Sequence, residues 1–462
     1  MNWNFQNSYT QLPNVYYSIT KPQDFENPRL ILFNSDLANE LNLNVNSNEE
    51  EICDFLLGKK NKEKNFFSQA YAGHQFGHFT ILGDGRAHML GEHINNKNKR
   101  YDIQLKGSGL TPYSRNGDGK ATLGPMIREY LVSEAMHFLN IPTTRALAVI
   151  LTGENILRHG IQPGAILVRV AKSHIRVGTF QFGRLLKNTS DFDNLIYYTI
   201  KRLYPEIKKN KNLYLNFFKK ICEDQVNLII EWMRVGFIHG VMNTDNMSLS
   251  GETIDYGPCA FMDTYNPKTV FSSIDDKGRY SFENQSKIVL WNLARFAETI
   301  LHLIDDSQNK AIEIVENILN ENQEKFEIKW LEMMYKKINL SYDNKNKELV
   351  KELLDLMHIH KLDYTNTFID LKYGKLSEKI FKNWMNKYSL RKKEKHYQIN
   401  PIVIPRNHII EEIINDTTNE DYKSLYLFNK VIRKPYDKNN IDKKFLTPPD
   451  DNQKVYKTFC GT

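Results

Sequence analysis

The first half of the chain carries short apolar or alternating runs, separated by glycine, proline and other turn-forming residues. Runs of about four to eight residues between such breaks are typical of β-strands, and strict alternation indicates a strand with one buried face. The first two runs are joined by Gly83-Asp84-Gly85, which predicts a tight turn between two strands. The predicted strands cover residues 79–82, 86–90, 101–106, 146–151 and 166–171.

Helical spacing of apolar residues takes over between and after these strands. Pro125, a residue favoured at the start of a helix, precedes an apolar stripe that continues to Leu139 and leaves Glu129 on its flank. A long core helix is predicted from Tyr214 to Gly236. Further predicted helices cover residues 286–305, 311–319, 349–357 and 376–388.

These elements predict an α+β protein organised in three regions. Residues 1–160 would hold a sheet with its glycine-rich turn, a strand ending in Lys106 and the helix of Glu129. Residues 161–285 would form the core of a second lobe with the catalytic and metal-binding loops. Residues 286–462 would form a mostly helical extension that ends in a flexible tail.

Composition and charge exclude some classes of protein. The 62 Lys and Arg against 55 Asp and Glu leave a net charge of +7 that is spread along the chain, so we expect no nucleic-acid partner. The 4 cysteines form no CxxC pair, which disfavours a structural zinc site or a disulfide framework. With no signal peptide pattern and no run of about eighteen apolar residues, we expect a cytoplasmic protein with no membrane partner. We expect the protein to be a monomer.

The segment 239–263 has the spacing of a kinase-like catalytic centre. In protein kinases a His is followed by a metal-binding Asn, and a second metal-binding Asp opens an Asp-aromatic-Gly triplet. Here Asn246 stands seven residues after His239, and Asp255 opens an Asp-Tyr-Gly triplet. The segment therefore predicts two metal ligands, Asn246 and Asp255.

The residues of this centre that would handle the acceptor hydroxyl differ from those of a kinase. Val241 occupies the position of the kinase base and cannot accept a proton, whereas Asp245 supplies a carboxylate directly before Asn246. This combination favours phosphate chemistry other than ordinary phosphorylation. The alternative is a polar loop of Asn, Asp and Gly that only makes turns, and the spacing alone does not decide between the two.

Candidate nucleotide contacts lie in the predicted sheet. The turn at Gly83-Asp84-Gly85 lets backbone N–H groups approach a phosphate, and Arg86 adds a planar donor fork. Lys106 on a strand and Glu129 on a helix have the order of the pair that positions a triphosphate in kinases. The alternatives are an ordinary hairpin and two surface charges.

The sequence context of two arginines indicates an anionic ligand. Arg169 interrupts the apolar series of a predicted strand, and Arg176 follows seven residues later. An arginine among valine and alanine is costly to bury without an anionic partner. Phosphate oxygens would suit both side chains, and a carboxylate within the fold is the alternative.

Together these motifs resemble the selenoprotein O family of AMP-transferring pseudokinases, in its bacterial, cysteine-containing form. The likeness covers roughly residues 71–406 and includes the terminal Cys460-Gly461-Thr462. Several separate motifs in the same order carry it. They occupy residues 71–77, 82–87, 104–109, 168–176 and 239–263.

The resemblance implies a two-lobed protein-kinase-like fold with an additional mostly helical C-terminal region, in which ATP lies in an inverted orientation. AMP would pass to Ser, Thr or Tyr hydroxyls of target proteins, and pyrophosphate would leave. Asp245 would accept the proton, and Asn246 and Asp255 would hold Mg²⁺ or Mn²⁺, with Glu129 in a supporting role. The positions that match the family's nucleotide contacts are Gly83, Gly85, Arg86, Lys106, Asp118, Gly119, Arg169, Arg176 and Asp255.

The family also carries a redox residue third from the C-terminus, and Cys460 stands there. Bacterial relatives pair it with a cysteine after the Asp-aromatic-Gly segment, but the matching stretch here, residues 270–273, contains none. The pairing of Cys460 is therefore open. Cys259 lies near the centre and could substitute, or it could be a small buried apolar residue.

Two other functions stay open at this point. The chain could be a conventional kinase with a displaced base that transfers the γ-phosphate, or a catalytically silent nucleotide-binding scaffold. The retained metal ligands weigh against a scaffold. The sequence does not identify the target proteins and does not choose between AMP and UMP transfer.

Overall fold

The computed structural model describes residues 2–43, 47–60, 65–158, 160–393, 397–439 and 441–458 of this α+β protein. The strands, in chain order, are β1 (Tyr17–Ile19), β2 (Arg29–Phe33), β3 (Phe67–Gln75), β4 (His78–Gly83), β5 (Ala87–Ile94), β6 (Arg100–Lys106), β7 (Arg145–Leu157), β8 (Ile161–Ala171), β9 (Phe237–Ile238) and β10 (Ala260–Phe261). The helices are α1 (Ser35–Glu40), α2 (Glu49–Leu56), α3 (Leu123–Phe138), α4 (Val177–Gly183), α5 (Thr189–Leu203), α6 (Leu213–Val235), α7 (Gln285–Ile304), α8 (Gln308–Lys337), α9 (Lys347–Ile359), α10 (Tyr364–Lys372), α11 (Glu378–Ser389), α12 (Asn407–Thr418) and α13 (Lys423–Val431).

The main sheet is antiparallel, with the order β1-β3-β5-β6-β8-β7-β2, and β4 pairs with the outer part of β3. The strands predicted on either side of the Gly83-Asp84-Gly85 turn are confirmed as β4 and β5. They do not form a hairpin with each other, because β4 pairs with β3 and β5 pairs with β6.

Helices cover both faces of this sheet. Ile103 and Leu105 of β6 point to one face, where they pack with apolar residues of α1 and α2. Gln104 and Lys106 alternate with them and point to the other face, towards Glu129 of α3. The period-two pattern of β6 therefore separates an apolar layer from the polar layer that forms the candidate site.

The C-terminal segment returns to the sheet region and covers α3. Arg128 of α3 donates to Asn407 Oδ1 at 2.7 Å and pairs with Glu411 of α12. Apolar residues of α12 and α13 belong to the same core cluster as α3. Phe445 and Thr458, in the part predicted as a flexible tail, are buried. The division into three regions stays a prediction.

The helical half packs around α6. This helix contacts α7 and α8 and ends at Gly236, whose φ of 74° is the left-handed conformation that closes a helix. Strand β9 follows at once and pairs with β10. The long helix thereby fixes the start of the segment 239–263, as predicted.

The later helices are held to this segment by Arg406. Arg406 is almost completely buried and pairs with Asp263 and, at 2.8 Å, with Asp363, the N-cap residue of α10. The connector before α12 is therefore tied to the end of the candidate catalytic segment. Among the described residues, the helices are all too short or too polar to cross a membrane.

Candidate functional site

An ionic cluster forms where β6, β8 and α3 meet. Lys106 Nζ lies 2.8 Å from Glu129 Oε2, and Arg169 donates from Nε to Glu129 Oε1 at 2.8 Å. Arg169 sits opposite Gln104 in the strand register and donates to its side chain at 3.1 Å. The predicted pair of Lys106 and Glu129 is thus in place, and Arg169 shares its carboxylate.

Asp255 completes the cluster from the other side. Its Oδ1 lies 3.2 Å from Lys106 Nζ and 2.7 Å from Arg169 Nη2, and its Oδ2 lies 3.2 Å from Arg176 Nη1. The backbone of Asp255 has a φ of 61°, a left-handed conformation that Asp tolerates better than most residues. This conformation accompanies a carboxylate whose two oxygens both contact cations.

The cations keep both carboxylates ionised. Burial alone would raise the pKa of Asp255, but Arg169, Lys106 and Arg176 outweigh it and hold that pKa well below its usual value. Burial opposes the neighbouring cations in the same way at Glu129, whose pKa is also lowered. Three cations therefore converge on these two carboxylates, and guanidinium and ammonium groups placed so close together suit an anionic ligand such as a polyphosphate.

Arg176 connects this cluster to the loop of Asp245. It is the N-cap residue of α4, and its Nη1 donates to the backbone oxygen of Asp245 at 2.9 Å as well as to Asp255. Its guanidinium carbon lies 4.4 Å from the ring centroid of Tyr71, a cation–π contact. Arg176 therefore fixes the distance between Asp245 and Asp255.

His239 has a structural role in the candidate catalytic segment. It is buried, stacks on Trp232 and donates from Nε2 to the backbone oxygen of Ile254 at 2.8 Å. Burial lowers the pKa of His239, which favours the neutral ring. This contact joins the start of the catalytic segment to the residue before Asp255.

Asp245 presents a carboxylate with an unused oxygen. It is 6% exposed, its Oδ2 accepts from Gln75 Nε2 at 3.4 Å, and its Oδ1 has no partner among the described residues. Burial raises the pKa of Asp245 to about 6. A buried acceptor without a donor is costly, so the fold leaves this carboxylate with unused hydrogen-bonding capacity.

Asn246 follows Asp245 directly in the loop. Its Nδ2 donates to the backbone oxygen of Val241 at 3.0 Å, which orients the amide. The Asn246 amide oxygen and the Asp255 carboxylate are hard donors of the type that Mg²⁺ and Mn²⁺ take, and Mg²⁺ commonly uses few protein ligands together with substrate phosphates. The described residues hold no cluster of three or more His, Cys, Asp or Glu that could bind a metal ion.

The glycine-rich turn lies next to Lys106, because Ala87 pairs with Lys106 in the sheet register. A Cβ at Gly83 would stand 2.3 Å from the Tyr113 ring, and one at Gly85 would stand 2.9 Å from the Tyr113 backbone oxygen. Neither position has room for a side chain. Arg86 is half-buried, and its backbone oxygen accepts from Gly107 at 2.7 Å.

Asp118 and Gly119 lie in a separate loop. Both oxygens of Asp118 accept from Arg158, at 2.8 and 2.9 Å, and Gly119 packs directly on the backbone of Gly109. Within the described ranges, no hydrogen bond or ion pair joins either residue to the ionic cluster. The structure thus groups Lys106, Glu129, Arg169, Arg176, Asp245 and Asp255. Asp118 and Gly119 lie in a neighbouring loop, where the backbone oxygen of Gly119 accepts from Gly109 at 3.0 Å.

Several residues that contribute to the site were not singled out from the sequence. Asp84 is buried within the glycine-rich turn and accepts from the backbone of Gln69 at 3.0 Å. Gly73 and Gln75 both contact Asp245. The signal for Gly73 and Gln75 was their place in the motif at 71–77, but nothing local in the sequence indicated their partner.

The predicted redox residue Cys460 lies outside the described residues. Cys259 is completely buried, and burial raises the pKa of its thiol to about 12, so it has the character of a small apolar core residue. Thr458 reaches this region: its Oγ1 donates to the backbone oxygen of Pro258 at 2.7 Å, and its backbone bridges to Ser272.

Comparisons with known proteins agree on one family. The family described as "Protein adenylyltransferase SelO" matches residues 1–389. The chain is 50% identical over 483 aligned residues to a protein of Pelagibacter ubique named "Protein nucleotidyltransferase YdiU", covering 100% of this chain and 99% of that protein. Proteins of the same name from Brevibacillus brevis and Lachnoclostridium phytofermentans are 48% and 47% identical, again over 100% of this chain and 98% and 99% of theirs. The chain therefore belongs to the SelO family of protein adenylyltransferases.

Proposed function

We propose that the protein transfers AMP from ATP to Ser, Thr or Tyr hydroxyls of other proteins and releases pyrophosphate. The observation that carries the proposal is the position of Asp245. Its buried carboxylate has an unused oxygen, and its backbone is joined through Arg176 to the cluster of cations around Asp255. Val241, at the kinase base position, offers no acceptor for a proton.

The cations suit the triphosphate. Lys106, Arg169 and Arg176 would contact phosphate oxygens and exchange part of their present pairing with Glu129 and Asp255 for the ligand. Backbone N–H groups at Gly83 and Gly85 and the Arg86 side chain would approach the same phosphates, with Asp118 and Gly119 as further contacts. In this arrangement the sheet and the helical half are the two lobes of a kinase-like fold, and the nucleotide lies between them in an inverted orientation.

The reaction is an in-line substitution at the α-phosphorus. The acceptor oxygen forms a bond to that phosphorus, the bond between the phosphorus and the oxygen that bridges to the β-phosphate breaks, and pyrophosphate leaves with the electron pair. The Asp245 carboxylate takes the hydroxyl proton as the new bond forms. Asn246 and Asp255 would hold Mg²⁺ or Mn²⁺, which supplies charge neutralisation for the phosphates.

Transfer of label from ATP tests the proposal. ATP labelled at the α-position should label acceptor protein, and ATP labelled at the γ-position should not. Asp245→Ala should lower labelling by roughly 100-fold or more, to a residual level, while ATP still raises the melting temperature. Asp306→Ala, which removes an exposed carboxylate after α7, serves as the control.

The remaining functions predict other results. Label from the γ-position alone would identify a conventional kinase. A melting-temperature shift without any label in wild type would identify a silent scaffold. Repeating the assay with UTP labelled at the α-position, and with Mg²⁺ and Mn²⁺ in turn, would establish the nucleotide and the metal.

We also propose a cytoplasmic monomer that acts on proteins rather than nucleic acid. The nearly balanced charge supports the second part, since nucleic-acid binding needs a concentrated basic surface. Light scattering coupled to size exclusion should give a mass near 54.2 kDa for a monomer.

A further inference from the structure

A basic and aromatic cluster lies beside the Asp245 loop and takes no part in the chemistry described so far. Trp291 of α7 is half-buried, and the guanidinium carbons of Arg279 and Arg295 lie 4.6 and 5.2 Å from its ring centroid. These distances are in the range of cation–π contacts. Trp291 therefore holds two positive charges at one place on the surface.

The two guanidinium groups retain unused donors. Arg279 Nε and Nη2 and Arg295 Nε are buried, and among the described residues they have no hydrogen-bond partner. Asp275, close to Arg279 in the chain, accepts instead from the backbone N–H groups of Arg279 and Tyr280 at 2.9 and 2.8 Å. Arg295 pairs through Nη2 with Glu298, which is half exposed. The donors of Arg279 thus lack the anion that would satisfy them.

Contacts tie the cluster to the candidate base. Tyr280, next to Arg279, donates from its hydroxyl to Asn243 Oδ1 at 2.6 Å, two residues before Asp245. His74 lies edge-on to Trp291 with centroids 5.3 Å apart, and its backbone N–H donates to Thr244 Oγ1 at 2.7 Å. The cluster therefore approaches Asp245 from the side of β3 and α7, whereas the ionic cluster of Lys106 and Arg169 lies on the side of Asp255.

We propose that Arg279, Trp291 and Arg295 form a recognition site for acidic side chains that flank the acceptor hydroxyl. This inference rests on the proposed function and names the class of its protein substrate. A planar guanidinium binds a carboxylate through two parallel hydrogen bonds, and stacking on Trp291 reduces the freedom that each arginine loses on binding. Phe79, 44% exposed and in edge contact with His74, adds an apolar surface beside the charges.

Peptide binding tests the site without requiring turnover. Peptides with one Ser, Thr or Tyr flanked by Glu, and the same peptides with Gln, are titrated against the full chain, and Trp fluorescence reports binding. We expect the Glu peptides to bind about tenfold tighter or more at low salt, with the difference shrinking as salt increases. Arg279→Gln and, separately, Arg295→Gln should each remove most of this preference.

The controls separate recognition from folding and from nucleotide binding. Lys287→Gln removes an exposed charge from the same helix and should keep the preference. The KM for ATP should be unchanged in all three variants, whereas the KM for a Glu-flanked acceptor should rise in the two arginine variants. Arg279→Lys keeps the charge without the planar fork and should restore only part of the preference.

Three outcomes overturn the inference. They are equal or no binding of Glu and Gln peptides, a preference that survives both arginine substitutions, and an arginine variant whose only defect is a raised KM for ATP. The last result would assign the cluster to the nucleotide. Because binding is read without ATP, failure here is distinct from failure of AMP transfer, which the α-label assay measures.

Discussion

Gly73 and Asp245 are in such close contact that no side chain fits at position 73. A Cβ there would stand 2.3 Å from Asp245 Oδ1 and 2.8 Å from its Cβ and Cγ. Gly73 pairs with Thr80 of β4, so the backbone is held in the β3–β4 hairpin and cannot withdraw. The hairpin therefore positions the carboxylate that we propose as the base.

We expect Gly73→Ala to displace this carboxylate and to lower the rate of AMP transfer by roughly 100-fold or more, as for loss of a general base. The ATP-induced rise in melting temperature should remain, because the ionic cluster is not touched. In the Asp245→Ala background the same change should cause little further loss of activity. An additive loss in the double variant would contradict this account.

Asp255 stabilises the cations around it even without a ligand. Asp255→Asn leaves Lys106 and Arg169 to share the carboxylate of Glu129, and Arg176 loses the carboxylate with which it pairs. We expect the free energy of unfolding in denaturant to fall by on the order of 3 kcal/mol. Asp118→Asn breaks an ion pair whose carboxylate is 44% exposed and should cost less than about 1 kcal/mol. Equal losses in the two variants would contradict the prediction.

Glu252 should make stability depend on pH. It is buried, accepts from the backbone of Lys172 and from Ser250 Oγ, each at 2.9 Å, and burial raises its pKa from 4.5 to about 7. The folded state therefore holds this proton more tightly than the unfolded state. The stability that Glu252 contributes is fully present below about pH 4.5 and is lost as the pH rises through 7.

Glu252→Gln should remove this dependence. Between pH 5 and pH 8, the free energy of unfolding in urea should fall by roughly 2 to 3 kcal/mol more in the wild type than in the variant. The variant should be the more stable of the two at pH 8. Parallel curves for the two proteins would show that the Glu252 pKa is not raised.

Arg406 should be among the most sensitive arginines to substitution. Arg406→Gln leaves Asp263 and Asp363 in a buried position without their cation, and we expect a loss of about 3 kcal/mol or more in the free energy of unfolding. Arg29→Gln is the matched control, because Arg29 and its partner Glu420 are 51% and 75% exposed. That change should cost less than about 1 kcal/mol.

Helices and strands could be predicted from the sequence wherever the hydrophobic periodicity continues over many residues. Strands β5 to β8 and helices α3, α6, α7 and α9 lie at the predicted places. Strands β1 and β2 were not predicted, because runs of 3 and 5 residues carry little pattern. The packing of α12 on α3 was also missed, since no local signal records a contact between Arg128 and Asn407.

Chain order and spacing identified most of the candidate site, and the comparisons confirm the resemblance to the selenoprotein O family. Chain order and spacing could not show which cation pairs with which carboxylate. Arg169 was open to a phosphate or a carboxylate partner, and in the fold it contacts the carboxylates of Glu129 and Asp255. Gly73 lies in the sheet and Asp245 in the helical half, far apart in the sequence. Their contact can therefore be recognised only in the assembled fold.

The burial of Phe445 and Thr458 has a consequence for biosynthesis. Translation reaches these residues after every member of the candidate site, yet α12 and α13 cover α3, and Thr458 bonds to the carbonyl of Pro258, three residues after Asp255. On the ribosome, a nascent chain that lacks the segment 403–458 would leave the apolar surface of α3 open to water. We therefore expect transferase activity to emerge only late in synthesis, when this segment has left the ribosome and covered α3.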